Sequence, residues 1–146
     1  RVVYISRIYM RYLRGEELNM GLDQSAFRRD KEAKPETEGE ILETWRKHPR
    51  LQGFMNELFI DKTGGHDPTM DRMGDPGMNT PDELELTLTD INALEEAIKT
   101  HTLPDAGGFF WGDDSSEHYY KQDLEFCMKA RKAIEDGDKV FYWCWW

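Results

Sequence analysis

The stretch Val140-Phe141-Tyr142-Trp143-Cys144-Trp145-Trp146 constrains the fold more than any other part of this chain. Read as a strand, it puts Phe141, Trp143 and Trp145 on one face and Val140, Tyr142, Cys144 and Trp146 on the other. Both faces are apolar, which suits a strand inside a sheet and covered on both sides. A second aromatic stretch precedes it, Leu103-Pro104-Asp105-Ala106-Gly107-Gly108-Phe109-Phe110-Trp111-Gly112. Aromatic rings bury the most area per residue, so the core is expected around these two segments. Gly107 and Gly108 let the second one turn sharply. With 146 residues the chain fits one domain.

Charge is distributed unevenly. Residues 1–81 hold 13 Lys+Arg against 14 Asp+Glu, whereas residues 82–138 hold 5 against 15. The net charge of −10 therefore belongs to the second half. Such acidity disfavours direct binding to nucleic acid and anionic membrane. It fits a solvated surface, a dock for a partner with a basic surface, or imitation of nucleic acid. No apolar run is long enough for a membrane helix, and no secretory-signal pattern appears. Cys127 and Cys144 lack the spacing of a zinc site or a disulfide framework, so they are expected to be small buried residues.

The periodicities predict an α+β fold. Residues 1–39 are expected as an N-terminal helix over Tyr4–Arg14 and a polar loop, with Val2 and Val3 able to start a strand instead. Leu18, Leu22 and Phe27 suggest a short helix within that loop. Residues 40–146 are expected to form the core. Glu40–Lys47 reads as a strand with Ile41, Glu43 and Trp45 on one face. Pro49 suits the first turn of a helix carrying Leu51, Phe54, Met55, Leu58 and Phe59, which Gly64 and Gly65 end. Residues 66–81 read as a loop without the ligand spacing of a calcium site, and no metal or cofactor is assigned to His66, Asp67 and Asp71. Leu84, Leu86 and Leu88 alternate as a strand, Thr89 is expected to cap the next helix, and Ile91, Leu94, Ala97 and Ile98 form its buried face. A last helix over 116–136, facing inward through Tyr120, Leu124, Cys127 and Ile134, ends at Gly137 before the aromatic strand.

Four motifs line up in order. They are Trp45-Arg46-Lys47-His48-Pro49-Arg50-Leu51-Gln52-Gly53-Phe54, the leucine-rich strand with its helix, Leu103-Pro104 with Gly108-Phe109-Phe110-Trp111-Gly112, and the terminal aromatic strand. Over roughly residues 40–146 this order resembles a group of small proteins from tailed bacteriophages and prophages. These typically carry WRK–HP–LHG and LP–GFFFG segments. The resemblance implies a viral origin and the cytoplasm of an infected bacterial host. Gln52 stands where the pattern often has His, which removes a titratable group. Trp111 replaces the third Phe and adds a donor.

No nucleophile–base arrangement and no phosphate-binding loop motif can be assembled from the sequence, so no catalytic residue is assigned. The expected function is a phage-encoded acidic accessory protein that binds and modulates a host or phage protein without catalysis. Asp113, Asp114 and Glu117 are its candidate partner-binding residues. The alternative is a nucleotide-like ligand, bound or hydrolysed at Arg46, His48 and Arg50 with Trp111 and Tyr119 facing them. Cations at a helix N-terminus are locally unfavourable, so Arg46 or Arg50 is expected to pair with an acidic residue, Asp113 and Asp114 being candidates, rather than await a phosphate-bearing ligand.

Overall fold

A computed structural model describes residues 3–4, 22–33, 39–64, 83–104 and 116–145. Five strands and three helices follow in the order β1 (Val3–Tyr4), β2 (Asp23–Asp30), β3 (Gly39–Arg46), α1 (Pro49–Thr63), β4 (Leu84–Leu86), α2 (Leu88–Lys99), α3 (Ser116–Glu135) and β5 (Asp138–Trp145). The strands form one sheet in the order β1-β3-β2-β5-β4, and every pairing is antiparallel. The fold is α+β.

β5 lies between β2 and β4, as its two apolar faces require. Val140, Tyr142 and Cys144 enter the main core together with Ala26, Trp45, Leu84 and Leu86 of the sheet. The same core takes Leu51, Met55 and Phe59 from α1, Ile91, Leu94 and Ile98 from α2, and Phe126, Cys127, Ala130 and Ala133 from α3. All three helices therefore cover one face of the sheet. The other face carries a smaller cluster of Phe27 and Trp143 with Ile41 and Phe141. There the Arg29 guanidinium lies 5.0 Å from the Phe27 ring and 4.8 Å from the Phe141 ring. Glu83 holds it from the side with two bonds of 2.8 and 3.2 Å.

Several sequence expectations are corrected. The short helix suggested by Leu22 and Phe27 is instead strand β2, at the centre of the sheet and paired with β5 without interruption from Asp23↔Trp145 to Asp30↔Asp138. Its buried positions include Gln24, Ser25 and Arg29, so a polar composition conceals an interior strand. Ile41 and Trp45 do not share a face. A bulge between Ala26 and Phe27 shifts the β2–β3 register, which sends Ile41 to the aromatic cluster and Trp45 to the helical core. β4 ends at Leu86, because Thr87, not Thr89, caps α2 in a reciprocal capping box with Asp90. The α3 stripe is rotated: Asp123, Phe126, Cys127, Ala130 and Ala133 are buried, while Tyr120, Leu124 and Ile134 flank them.

Other local signals hold. α1 starts at Pro49 and stops at Gly64, whose φ of 81° is the left-handed cap that favours glycine. Gly137, at φ 94°, turns α3 into β5. Lys62 near the end of α1 reaches over to β4, where its ammonium donates to the Glu85 carbonyl at 2.8 Å and pairs with Asp90. Tyr4, expected to open the N-terminal helix Tyr4–Arg14, instead pairs with Gly39 in β1, the strand start that Val3 allowed; the rest of that helix, the loop 66–81 and the Gly-Phe segment 105–115 lie outside the described residues.

Candidate functional site: a buried polar network under the strand-to-helix corner

The WRKHP segment folds as a corner between β3 and α1. Lys47 takes φ 56°, a left-handed conformation that is uncommon for a side-chain-bearing residue, and its amide donates to the Leu22 carbonyl at 2.8 Å. This turn sends the His48 side chain into the protein. His48 occupies the N-cap position of α1, yet its side chain makes no capping bond. The side-chain amide of Gln24 holds the His48 backbone instead. Gln24 Oε1 accepts from the His48 amide at 2.8 Å, and Gln24 Nε2 donates to the His48 carbonyl at 3.0 Å.

The imidazole meets Asp123 on the inward stripe of α3, with His48 Nε2 2.7 Å from Asp123 Oδ2. The other carboxylate oxygen accepts from Trp45 Nε1 at 2.9 Å. With the carboxylate ionised, which only accepts, the bond is donated by the Nε2–H tautomer of His48. His48 is 0% exposed and Asp123 1% exposed. Tyr119 closes the assembly: its ring stacks on the imidazole at 4.4 Å and 18°, and its hydroxyl donates to the Arg46 carbonyl. One α3 carboxylate thus ties helix, strand and corner together.

A second branch runs toward β5. Tyr142 OH accepts from Gln24 Nε2 at 2.8 Å and donates to Gln52 Oε1. Gln52 Nε2 donates to Asn56 Oδ1 at 3.1 Å and to Cys144 Sγ at 3.4 Å. Burial pushes the Tyr142 phenol well above its usual range, with nearby negative charge adding to the effect against the Gln24 bond. Burial likewise pushes the Cys127 thiol up to about 12, with help from Glu95 and Asp123. Among the described residues, no buried side-chain nitrogen or oxygen lacks a hydrogen-bond partner.

The residues singled out in the sequence are therefore dispersed by the fold. His48 is interior and Tyr119 half-buried above it, whereas the Arg46 side chain is exposed. Arg50 turns along α1 and donates to the Leu103 carbonyl at 3.0 Å. Trp111, Asp113 and Asp114 lie outside the described residues, as does the side chain of Glu117. Sequence reasoning missed Gln24, Asp123 and Tyr142. Asp123 does leave a signal: it sits four residues after Tyr119 and four before Cys127, a carboxylate inside the stripe that faces the core.

Chemically, a His–carboxylate pair is the orienting half of a general base. Use in catalysis requires that the imidazole reach a substrate, and here every imidazole atom is enclosed. The network satisfies polar groups and fixes the corner. Among the described residues no group of three or more His, Cys, Asp or Glu is placed to hold a metal ion, and no helix is long and apolar enough to cross a membrane. Comparison with protein-family models, with curated proteins and with solved structures found no match to this chain.

Proposed function

We propose that this chain is an accessory protein of a tailed bacteriophage that acts in the host cytoplasm by binding a host or phage protein, without catalysis. The observation that supports this reading is the enclosure of the His48–Asp123 pair. The polar groups best suited to chemistry are spent on one another, beneath Tyr119. The motif builds the corner and leaves the surface to do the work.

The partner carries a basic surface, and Asp113, Asp114 and Glu117 contact it. Among the described residues, part of the acidity of the second half is neutralised within the fold: Asp90 pairs with Lys62, Glu95 with Arg131, and Asp138 with Arg28. The experiment is affinity capture from infected cells with the wild-type chain and with Asp113→Lys, Asp114→Lys and Glu117→Lys combined. A partner bound by the wild type, released by salt and lost in the triple variant supports the reading, because exposed charges are screened within about 8–10 Å near physiological ionic strength. A partner held equally well in high salt and by the triple variant overturns the acidic dock.

A further inference from the structure

Strand β3 lies second from one end of the sheet, and among the described residues its pairing with β1 stops at Glu40. Beyond that point no described strand lies on the side of β3 away from β2. Carbonyls two residues apart along a strand point the same way, and α3 meets three of them in turn. Tyr119 donates to the Arg46 carbonyl, Gln122 Nε2 to the Thr44 carbonyl at 2.6 Å, and Lys129 Nζ to the Leu42 carbonyl at 3.3 Å. Glu43 completes the cover. Its Oε1 accepts from the Thr44 amide at 3.2 Å and from Gln122 Nε2 at 2.9 Å, and its Oε2 pairs with Lys129 at 3.4 Å. Residues 119, 122 and 129 fall on one helical stripe. Side chains of a helix thus supply the donors that a neighbouring strand supplies through its main chain. The opposite edge is treated alike: β4 is only three residues long, and Lys62 of α1 donates to its Glu85 carbonyl at 2.8 Å. A bare strand edge is a template for pairing with another chain, and short edge strands, charges and covering elements guard against it.

We propose that the β3 edge is a strand-pairing surface for a second copy of this chain, held closed in the monomer by Gln122 and Lys129. The occupant follows from the edge itself. A two-fold axis sets two identical edges antiparallel, which is the pairing used throughout this sheet. Centred on Thr44, the axis places Thr44 opposite its own counterpart, Glu43 opposite the counterpart of Trp45, and Leu42 opposite that of Arg46. No like charges then meet directly, and a threonine pair is a favourable one. Thr44 and Arg46 are exposed, so this side of β3 can be approached. The guard can also be withdrawn. Gln122 is half-buried and Lys129 exposed, and each acts through the end of a rotatable side chain. Turning those two aside does not require α3 to move, because the helix is anchored separately by Phe126, Cys127, Ala130 and Ala133 in the core and by the bonds of Asp123. The chain alone is therefore monomeric, with a dimer edge in reserve. This goes beyond the acidic dock, uses none of its residues and stands without it.

The test is sedimentation velocity of the full chain over a range of concentrations, for the wild type and for Gln122→Ala combined with Lys129→Ala. Alanine keeps the helix propensity of α3, and an unchanged far-UV spectrum with cooperative unfolding reports that helix and sheet are intact. The expected result is a wild type that stays monomeric and a variant whose mass doubles as concentration rises. Adding Thr44→Pro should return the variant to monomer. Proline removes the amide that an incoming strand needs, and that amide bonds the Glu43 side chain in the wild type, a position of the kind where an edge strand tolerates proline. Gln122→Glu is the second variant. It keeps the size of the side chain, loses both donors and repels Glu43, so it is also expected to dimerise, and it decides the matter if the alanine pair does not fold. A wild type that already dimerises, folded variants that stay monomeric at every concentration, or a dimer that persists with Thr44→Pro overturns the proposal.

Discussion

Replacing Asp123 by alanine tests whether one carboxylate ties α3 to the β3–α1 corner. The substitution removes the acceptor of two buried donors, Trp45 Nε1 at 2.9 Å and His48 Nε2 at 2.7 Å. Each donor left without a partner costs about 1–3 kcal/mol, so the two together cost about 2–6 kcal/mol. Asp123→Ala is therefore expected to lose a large part of the roughly 5–15 kcal/mol that holds a domain folded. At about 2–4 °C per kcal/mol for a chain near this size, Tm falls by about 4–24 °C. Asp123→Asn separates charge from shape. Its carbonyl still accepts from the indole, while its amide faces His48 and forces the imidazole to accept, so a loss of about 1–2 kcal/mol is expected. Urea unfolding followed by tryptophan emission measures both variants. A double-mutant cycle with Trp45→Phe then isolates the indole bond. A loss below about 1 kcal/mol for Asp123→Ala, or equal losses for the two variants, would refute the shared-acceptor reasoning.

Three further outcomes follow from the same geometry. Cys127 and Cys144 should resist thiol reagents at pH 8 in the folded state and react fully in urea, since both are buried and the Cys127 thiol is pushed up to about 12; rapid native labelling of Cys127 would contradict this. Partial burial raises the Asp90 carboxyl, but the bonds from Lys62 and Thr87 and the Lys62 charge outweigh it and hold the group below its ordinary value. Its stabilisation is thus present above the unfolded value, about 3.9, and lost as pH falls through the folded one; urea midpoints of wild type and Asp90→Asn should differ at pH 7 and converge in strong acid, and a gap that widens in acid would be incompatible. Gly39→Ala should cost about 1–3 kcal/mol, because an added Cβ would lie 2.6 Å from the Arg28 carbonyl oxygen and 2.9 Å from the Phe27 ring; an unchanged melting temperature would show that β2 and β3 separate easily.

The legible parts of the chain were those whose signals are local. Pro49 and Gly64 bound α1, Gly137 ends α3, and the two apolar faces of residues 140–146 mark an interior strand. β2 was hidden because its buried polar residues are satisfied by distant ones. Gln24 depends on His48 and Tyr142, and Arg29 on Glu83, Phe27 and Phe141. Phe27 apart, no window of neighbouring residues contains those partners. The candidate site was half visible for the same reason. His48 stood out beside its cations, but its burial depends on Asp123, 75 positions away. The Thr87 cap was missed by two residues, because Leu88 continues the alternation of β4 while already belonging to α2.

Placing β2 beside β5 has a consequence for how the chain is made. Gln24 and Tyr142 lie 118 positions apart. At ribosomal rates of about 5–20 residues per second, β2 waits about 6–24 s before its central partner has been synthesised. An apolar strand exposed for that long would invite pairing with other nascent chains. β2 waits as Asp23-Gln24-Ser25-Ala26-Phe27-Arg28-Arg29-Asp30, with one large apolar side chain and a charge at each end. The polarity that disguises this strand also keeps it soluble until β5 arrives, and the same groups then become the bonds that hold the sheet's centre.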